Sequence, residues 1–322
     1  ACKEVQNSCT ECTKNEAYEL LQTGMVGGPA IVFCRYHERD ISGIRSHVYE
    51  NPKLCKTILG LDANMLYPST LLHDYPCGKE KLIKVPKSRA KHNLDLLTQG
   101  VEDGSLFGFA QVDIGVPEEL YEKFSEMPPL LVAMEIADSQ IPEHMHEYLR
   151  KTGRKRIPGT RKLCGVMKAK KILLYTPVLK WYLDHGLKVT AFYKFIKYYR
   201  VKQFSLFADV ARHCNTIFTS DENKVDKAMR SPYLEDLEEI GDAYEIREGK
   251  KKVSVDRAYQ CGIAVYQLAK LRMLEFYYDF LDKYVDRRDF EYCYMDTDSA
   301  YFAISGEELR DVVRRELLDE YD

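Results

Sequence analysis

The chain has 322 residues, 45% of them hydrophobic and 30% charged, with a formal net charge of −3. That balance suits an ordinary soluble, cored protein of one large or two smaller domains, and no apolar run is long enough to span a bilayer. So small a net charge names no partner; only the distribution of charge along the chain can.

The opening stretch ACKEVQNSCTECTKNE has no apolar core of the kind a signal peptide carries. It holds Cys2, Cys9 and Cys12. A zinc site wants four ligands, and no second C-x-x-C or H-x-H lies nearby, so unpaired structural thiols and an incomplete zinc site both stay open. The ten cysteines are scattered without a disulfide framework, which points to a reduced, intracellular setting. With no Met at position 1 and a C-terminal ELLDEYD that stops inside a helical pattern, both ends look cut from something longer.

GGPAIVF, from Gly27, predicts a glycine turn entering a strand. KTILGLDANMLYPSTLL starts as a strand, loses alternation after Asp62, and offers Pro68 where a helix can begin. GFAQVDIGVP alternates like a strand, and PEELYEKFSEM predicts a short helix opened by Pro117. His144 and His146 are spaced for a strand rather than for a helical metal pair, and a solvated loop is expected. KAKKILLYTP predicts a strand; the next stretch gives a helix, a stop at Gly186 and another strand. Gln260 to Tyr284 is the clearest helix, with Ala264, Leu268, Leu271, Leu274, Tyr277 and Leu281 on one apolar stripe facing a core. Strands and helices mix without regular βαβ alternation, so the fold class is α+β.

Charge is uneven. From Arg150 to Lys202 lysine and arginine are dense and only Asp184 opposes them. Such a stretch is either a solvated face or, with Tyr193, Tyr198 and Tyr199 interleaved, a surface for a polyanion such as nucleic acid. From Asp221 to Glu248 the sign reverses.

The last strand-like stretch, EYCYMDTDSAYFAIS, carries Asp296 and Asp298 at the tip of a hairpin. Two carboxylates about 4 Å apart repel by roughly 4 kcal/mol at an effective dielectric near 20. A wet polar turn tolerates that; a divalent cation shared with a third carboxylate relieves it. Asp62, at the end of an apolar strand, supplies a candidate third, and the turn after it could hold phosphate oxygens on backbone N–H groups.

Asp62 followed by LYPS, and YMDTDS further along, resemble the first and third palm motifs of family B DNA polymerases, written D-x-x-S-L-Y-P-S and Y-x-D-T-D-S. The helix AVYQLAKLRMLEFYYDFLDKY, the segment GGPAIVFCRYHE and the stretch FGFAQVDIGVPEELYEKFSEMPP resemble the protein-primed branch, that of Maverick or Polinton transposons, adenoviruses and linear plasmids. The resemblance implies a polymerase palm with an antiparallel sheet and packed helices. It implies nucleotidyl transfer from a deoxynucleoside triphosphate to a primer hydroxyl, with DNA template and primer as partners and two Mg²⁺ ions as cofactors. It places the metals on Asp62 and Asp298, with Asp296 in a supporting catalytic role. Ala63, Asn64, Met65, Leu66 and Tyr67 would bind the nucleotide, the Met65 and Leu66 amides on the triphosphate and Tyr67 as the gate against a 2′-hydroxyl. Gly27 and Gly28 match a Y-x-G-G linker that contacts the template, with Met25 where the Tyr would be.

The implied organisation is a linker remnant over 1–50, palm over 51–112, an insertion over 113–165 resembling the region that contacts a priming protein, and a palm–fingers base over 166–210. A fingers remnant with an internal deletion over 211–255 and the second part of the palm over 256–322 complete it. The expected location is intracellular, at the nucleus or a viral replication site, with no membrane partner. One motif is missing: the chain contains no Tyr-Gly dipeptide, so the fingers motif K-x-x-x-N-S-x-Y-G is absent, and a block is inferred lost near Val210/Ala211. KVSVDRAYQCG, from Lys252, imitates it poorly. The lysine and tyrosine that would grip the triphosphate are thus gone, along with exonuclease and thumb. The expectation is a partial polymerase of weak or no activity, or a non-catalytic nucleic-acid-binding remnant of a mobile element. An unrelated phosphate-handling domain would require Asp62 and Asp298 to lie far apart in the fold.

Overall fold

The computed structural model describes residues 16–70, 72–84, 90–155, 161–201, 216–230, 234–240, 243–248 and 259–322. Cys2, Cys9, Cys12, the inferred break at Val210/Ala211 and most of KVSVDRAYQCG lie outside the described residues.

In chain order, α1 (Glu16–Gly24) and β1 (Ala30–Val32) precede β2 (Thr57–Asp62), α2 (Leu66–Thr70), β3 (Tyr75–Lys84), α3 (Ala90–Glu102) and β4 (Gly108–Gly115). A middle run holds α4 (Tyr121–Phe124), β5 (Leu130–Glu135), α5 (Glu143–Thr152), β6 (Arg161–Val166), β7 (Lys168–Tyr175), α6 (Thr176–Asp184) and β8 (Lys188–Val201). Then come β9 (Thr216–Thr219), α7 (Glu222–Met229), β10 (Leu234–Ile240), β11 (Ala243–Glu248), α8 (Tyr259–Glu275), β12 (Phe290–Asp296) and β13 (Ser299–Ile304).

The fold is α+β, and each strand pairing among the described residues is antiparallel. One sheet runs β1-β12-β13-β2 and will be called the hairpin sheet; a second, the long sheet, runs β3-β8-β4-β7. β10-β11-β9 and β5-β6 form two smaller sheets.

α8 is the central packing element. All six residues of its expected stripe are buried, and so are Ile263, Ala269 and Met273, so the apolar face is broader than one stripe. It contacts α1, α2, β3, β7 and α6. Buried Gln267 stitches it to the long sheet: its Oε1 accepts from the Tyr175 N–H at 2.7 Å and its Nε2 donates to the Leu173 carbonyl at 2.8 Å. Past Glu275 the helix widens to a π-turn over Phe276–Leu281. Such π-bulges recur at functional sites, and this one abuts the cleft described below.

The expected helix–stop–strand after Tyr175 is found as α6, Gly186 at φ +87° and β8. The Pro117 helix is a 3₁₀ turn leading into α4. His144 and His146 lie in α5 rather than in a loop. None of its residues is buried, so no apolar stripe announced it; its signals were Pro142 ahead and Gly153, left-handed at φ 65°, behind.

Candidate active site

The hairpin sheet sets the geometry. β2 pairs with β13 along its length, which puts Asp62 opposite Ser299, and the Ala63 N–H donates to the Asp298 carbonyl at 2.9 Å. On the other side β1 pairs with β12, and the Thr297 N–H donates to the Pro29 carbonyl at 2.8 Å. Thr297 turns the hairpin with φ at +55°, a conformation costly for a β-branched residue. The hairpin tip is therefore held from both sides. Asp62 and Asp298, remote in sequence, sit on neighbouring strand ends.

Both line an open cleft of about 780 Å³, with Arg272, Glu275, Phe276 and Asp279 from the helix opposite. Asp296 is exposed at the same tip but does not line this cleft; its carboxylate accepts from the Tyr294 hydroxyl at 3.1 Å and the Thr297 hydroxyl at 3.3 Å. Among the described residues none of the three aspartates forms an ion pair. The nearby Arg272 pairs instead with Glu275 at 3.4 Å. A set of hard carboxylate oxygens, open to water and lacking a cation of its own, fits Mg²⁺.

The turn after β2 adds donors. Met65 is left-handed at φ +58°, and Asn64 and Met65 are exposed. Their N–H groups make no hydrogen bond among the described residues, whereas the Leu66 N–H donates to the Ala63 carbonyl at 3.1 Å. The Leu66 side chain is core. Two amides are thus left for an anion at the cleft mouth. Tyr67, half-buried, packs edge-to-face on Tyr266 with ring centroids 5.5 Å apart. Burial first, then the neighbouring Tyr266, Asp298 and Asp296, push its phenol pKa up.

The two glycines differ. A Cβ on Gly28 would lie 2.6 Å from Thr297 Oγ1, so the segment ahead of β1 approaches the hairpin tip as only glycine permits. A Cβ on Gly27 would meet nothing within 4 Å.

The basic stretch is less free than its sequence implies. Acids from other elements meet it: Lys194 pairs with Glu16 at 2.6 Å, Lys188 with Glu119 at 3.4 Å and Arg200 with Asp74 at 3.5 Å. Of its tyrosines, Tyr198 is buried, the Tyr193 hydroxyl donates to Asp113 at 2.8 Å, and Tyr199 is 74% exposed. Arg272, Glu275 and Asp279 were not singled out from sequence. Their signal was the polar side of the helix just before the hairpin.

No family model matches the chain, and no curated protein matches it. Among solved structures it is similar to Phi29 DNA polymerase in an orthorhombic crystal form, at 13% identity and a TM-score of 0.44, covering 97% of this chain and 47% of that one. It is similar also to Phi29 DNA polymerase complexed with primer-template DNA and incoming nucleotide substrates, at 15% identity and a TM-score of 0.45, covering 96% and 46%. A third is the post-translocation binary complex of that enzyme with primer-template DNA, at 14% identity and a TM-score of 0.42, covering 96% and 46%. The chain spans less than half the length of each.

Proposed function

We propose that this chain is the palm portion of a family B DNA polymerase of the protein-primed branch, and that its site carries out nucleotidyl transfer to a primer hydroxyl on a DNA template. One observation carries the reading: Asp62 and Asp298 stand side by side on hydrogen-bonded strand ends, in an open cleft, without a cationic partner among the described residues. The two palm motifs that hold them support it.

In this reading Asp62 and Asp298 hold two Mg²⁺ ions, and Asp296 supports the hairpin tip. The bound metals would supply activation of the primer hydroxyl and charge stabilisation at the leaving pyrophosphate. The Asn64 and Met65 amides receive triphosphate oxygens. Tyr67, packed against Tyr266, fills the space a 2′-hydroxyl would need. The basic β7–β8 surface faces the DNA backbone. Use of a protein primer rests on the position of 113–165 alone.

Without the fingers lysine, the triphosphate lacks charge-assisted contacts worth roughly 1.5–3 kcal/mol each. The chain as it stands is therefore expected to give weak or no primer extension; robust Mg²⁺-dependent synthesis would overturn that part. The site is tested by calorimetric titration of Mg²⁺ into the full chain. Asp62→Asn and Asp298→Asn should each weaken binding by about tenfold or more, the scale of one lost charge-assisted contact, and Asp296→Asn by less. Binding unchanged in both variants sinks the assignment.

The missing fingers motif favours a second reading, a non-catalytic nucleic-acid-binding remnant of a virus-like mobile element. An in-frame K-x-x-x-N-S-x-Y-G in the genomic DNA between the codons for Val210 and Ala211 would decide for the polymerase. Its absence there would favour the remnant.

A further inference from the structure

Behind the hairpin, away from the carboxylate cleft, the chain after β1 folds back against β12. The Phe33 and Cys34 N–H groups both donate to the Cys293 carbonyl, at 2.8 and 3.1 Å. Three residues on, His37 Nε2 lies 3.0 Å from Glu291 Oε2. The Cys34 thiol, a His37 ring nitrogen and a Glu291 carboxylate oxygen all lie within 4.8 Å of one another.

Two features set this cluster apart from a surface ion pair. The side chains of His37 and Glu291 are only 3% and 8% exposed. His37 Nδ1 is buried with no hydrogen-bond partner among the described residues. Buried ring nitrogens are rarely left unused, because desolvation of the lone pair or proton is then uncompensated. Cys34 and His37 also stand in C-x-x-H spacing, which lets one short turn present sulfur and nitrogen to the same point.

We propose that Cys34, His37 and Glu291 bind a zinc ion that fastens the segment after β1 to β12. The donor set selects the metal: a thiolate and an imidazole disfavour Mg²⁺ and Ca²⁺, and the mixture with one carboxylate suits Zn²⁺. In a tetrahedral zinc site the ligand atoms stand roughly 3.3–3.7 Å apart, so side-chain adjustments of about 1 Å complete the geometry. His47 is the candidate fourth ligand: its Nδ1 is 3.7 Å from Glu291 Oε1 and its side chain is 70% exposed, free to turn inward. The Arg45 N–H donates to Glu291 Oε2 and orients the carboxylate, as outer partners of metal ligands do. Zinc would displace the Cys34 thiol proton to solvent as the thiolate–metal bond forms.

The proposal is independent of the polymerase reading. The test uses the full chain with Cys2, Cys9 and Cys12 all changed to serine, which removes the other cysteine cluster. Far-UV circular dichroism establishes that each protein is folded. Zinc content after purification is measured by mass spectrometry, and Co²⁺ alone is titrated as a spectroscopic probe.

About one equivalent of zinc and a near-ultraviolet thiolate-to-cobalt charge-transfer band are expected. Cys34→Ser should abolish the band, and His37→Gln should lower zinc affinity by more than the roughly 10–100-fold typical of an outer-partner change. Cys164→Ser, elsewhere on the surface, should change neither. A folded triple-serine chain with neither zinc nor a cobalt band overturns the proposal, whatever the Cys34 variant does. So does a band that survives Cys34→Ser.

Discussion

In the long sheet several basic side chains find acids from other elements: Lys194 meets Glu16, Lys188 meets Glu119 and Arg200 meets Asp74. At the tip of the hairpin sheet three carboxylates find no base among the described residues. Both regions are four-stranded and antiparallel, and both looked strongly charged along the sequence. The difference is that folding pairs part of the first with acids and leaves the second without a base among the described residues. Linear charge density therefore overstated the first as a binding surface and understated the second. An uncompensated acid cluster on rigid strand ends is the better pointer to a ligand, because its repulsion is tolerated only where water or a cation screens it.

The largest test breaks the long sheet without touching the hairpin tip. Gly108 sits at φ +142°, and a Cβ there would fall 2.0 Å from the Ile196 carbonyl oxygen. Gly108→Ala is expected to cost about 4 kcal/mol or prevent folding, read by urea denaturation. A loss under about 1 kcal/mol would mean that β4 and β8 are not packed as described.

Next in size is Lys270, the basic counterpart of the lone aspartates. Its ammonium donates to the Val26 carbonyl at 2.9 Å, and burial lowers its pKa to about 8. Below that pH the lysine is protonated in both folded and unfolded chains and the burial penalty is full. Between about 8 and the usual lysine value of roughly 10.4 the folded state has shed the proton that the unfolded chain still binds, so wild-type stability rises with pH. Lys270→Met should thus be more stable than wild type at pH 7, by at most about 3 kcal/mol, with the advantage shrinking toward pH 10. A difference that stays flat across that range would show that Lys270 is solvated.

The smallest effect concerns the hairpin tip itself. In chelator, with no divalent ion, Asp298→Asn should leave stability unchanged or raise it by up to about 1 kcal/mol, because it removes like-charge repulsion at a partly exposed site. With Mg²⁺ added, thermal stabilisation should appear in wild type and not in the variant. A clear loss of stability in chelator would mean that Asp298 is a structural hydrogen-bonding residue instead.

Elements with a clean period were legible in advance. β2, β4 and the β12–β13 hairpin alternate, α8 repeats at three and four residues, and Gly186 marks the end of α6. α5 was missed because its exposed EHMHEYLRKT has no apolar face to reveal a period. The β5–β6 pairing was missed because Leu130 meets Val166 across an intervening helix, a contact no local pattern encodes. At the site, Asp296 and Asp298 were visible as two acids in a turn, and Asp62 as an acid ending a strand.

Sequence by itself determined the class of fold, the hairpin, the central helix and the presence of acids at strand ends, because these depend on side-chain period and turn chemistry within a few residues. It did not decide which acids meet which bases, that Asp62 lies beside Asp298, or that His37 is buried against Glu291. Those follow from strand register and from chain segments brought together over long separations. Only the packed tertiary structure fixes which charges are cancelled and which are left for a ligand.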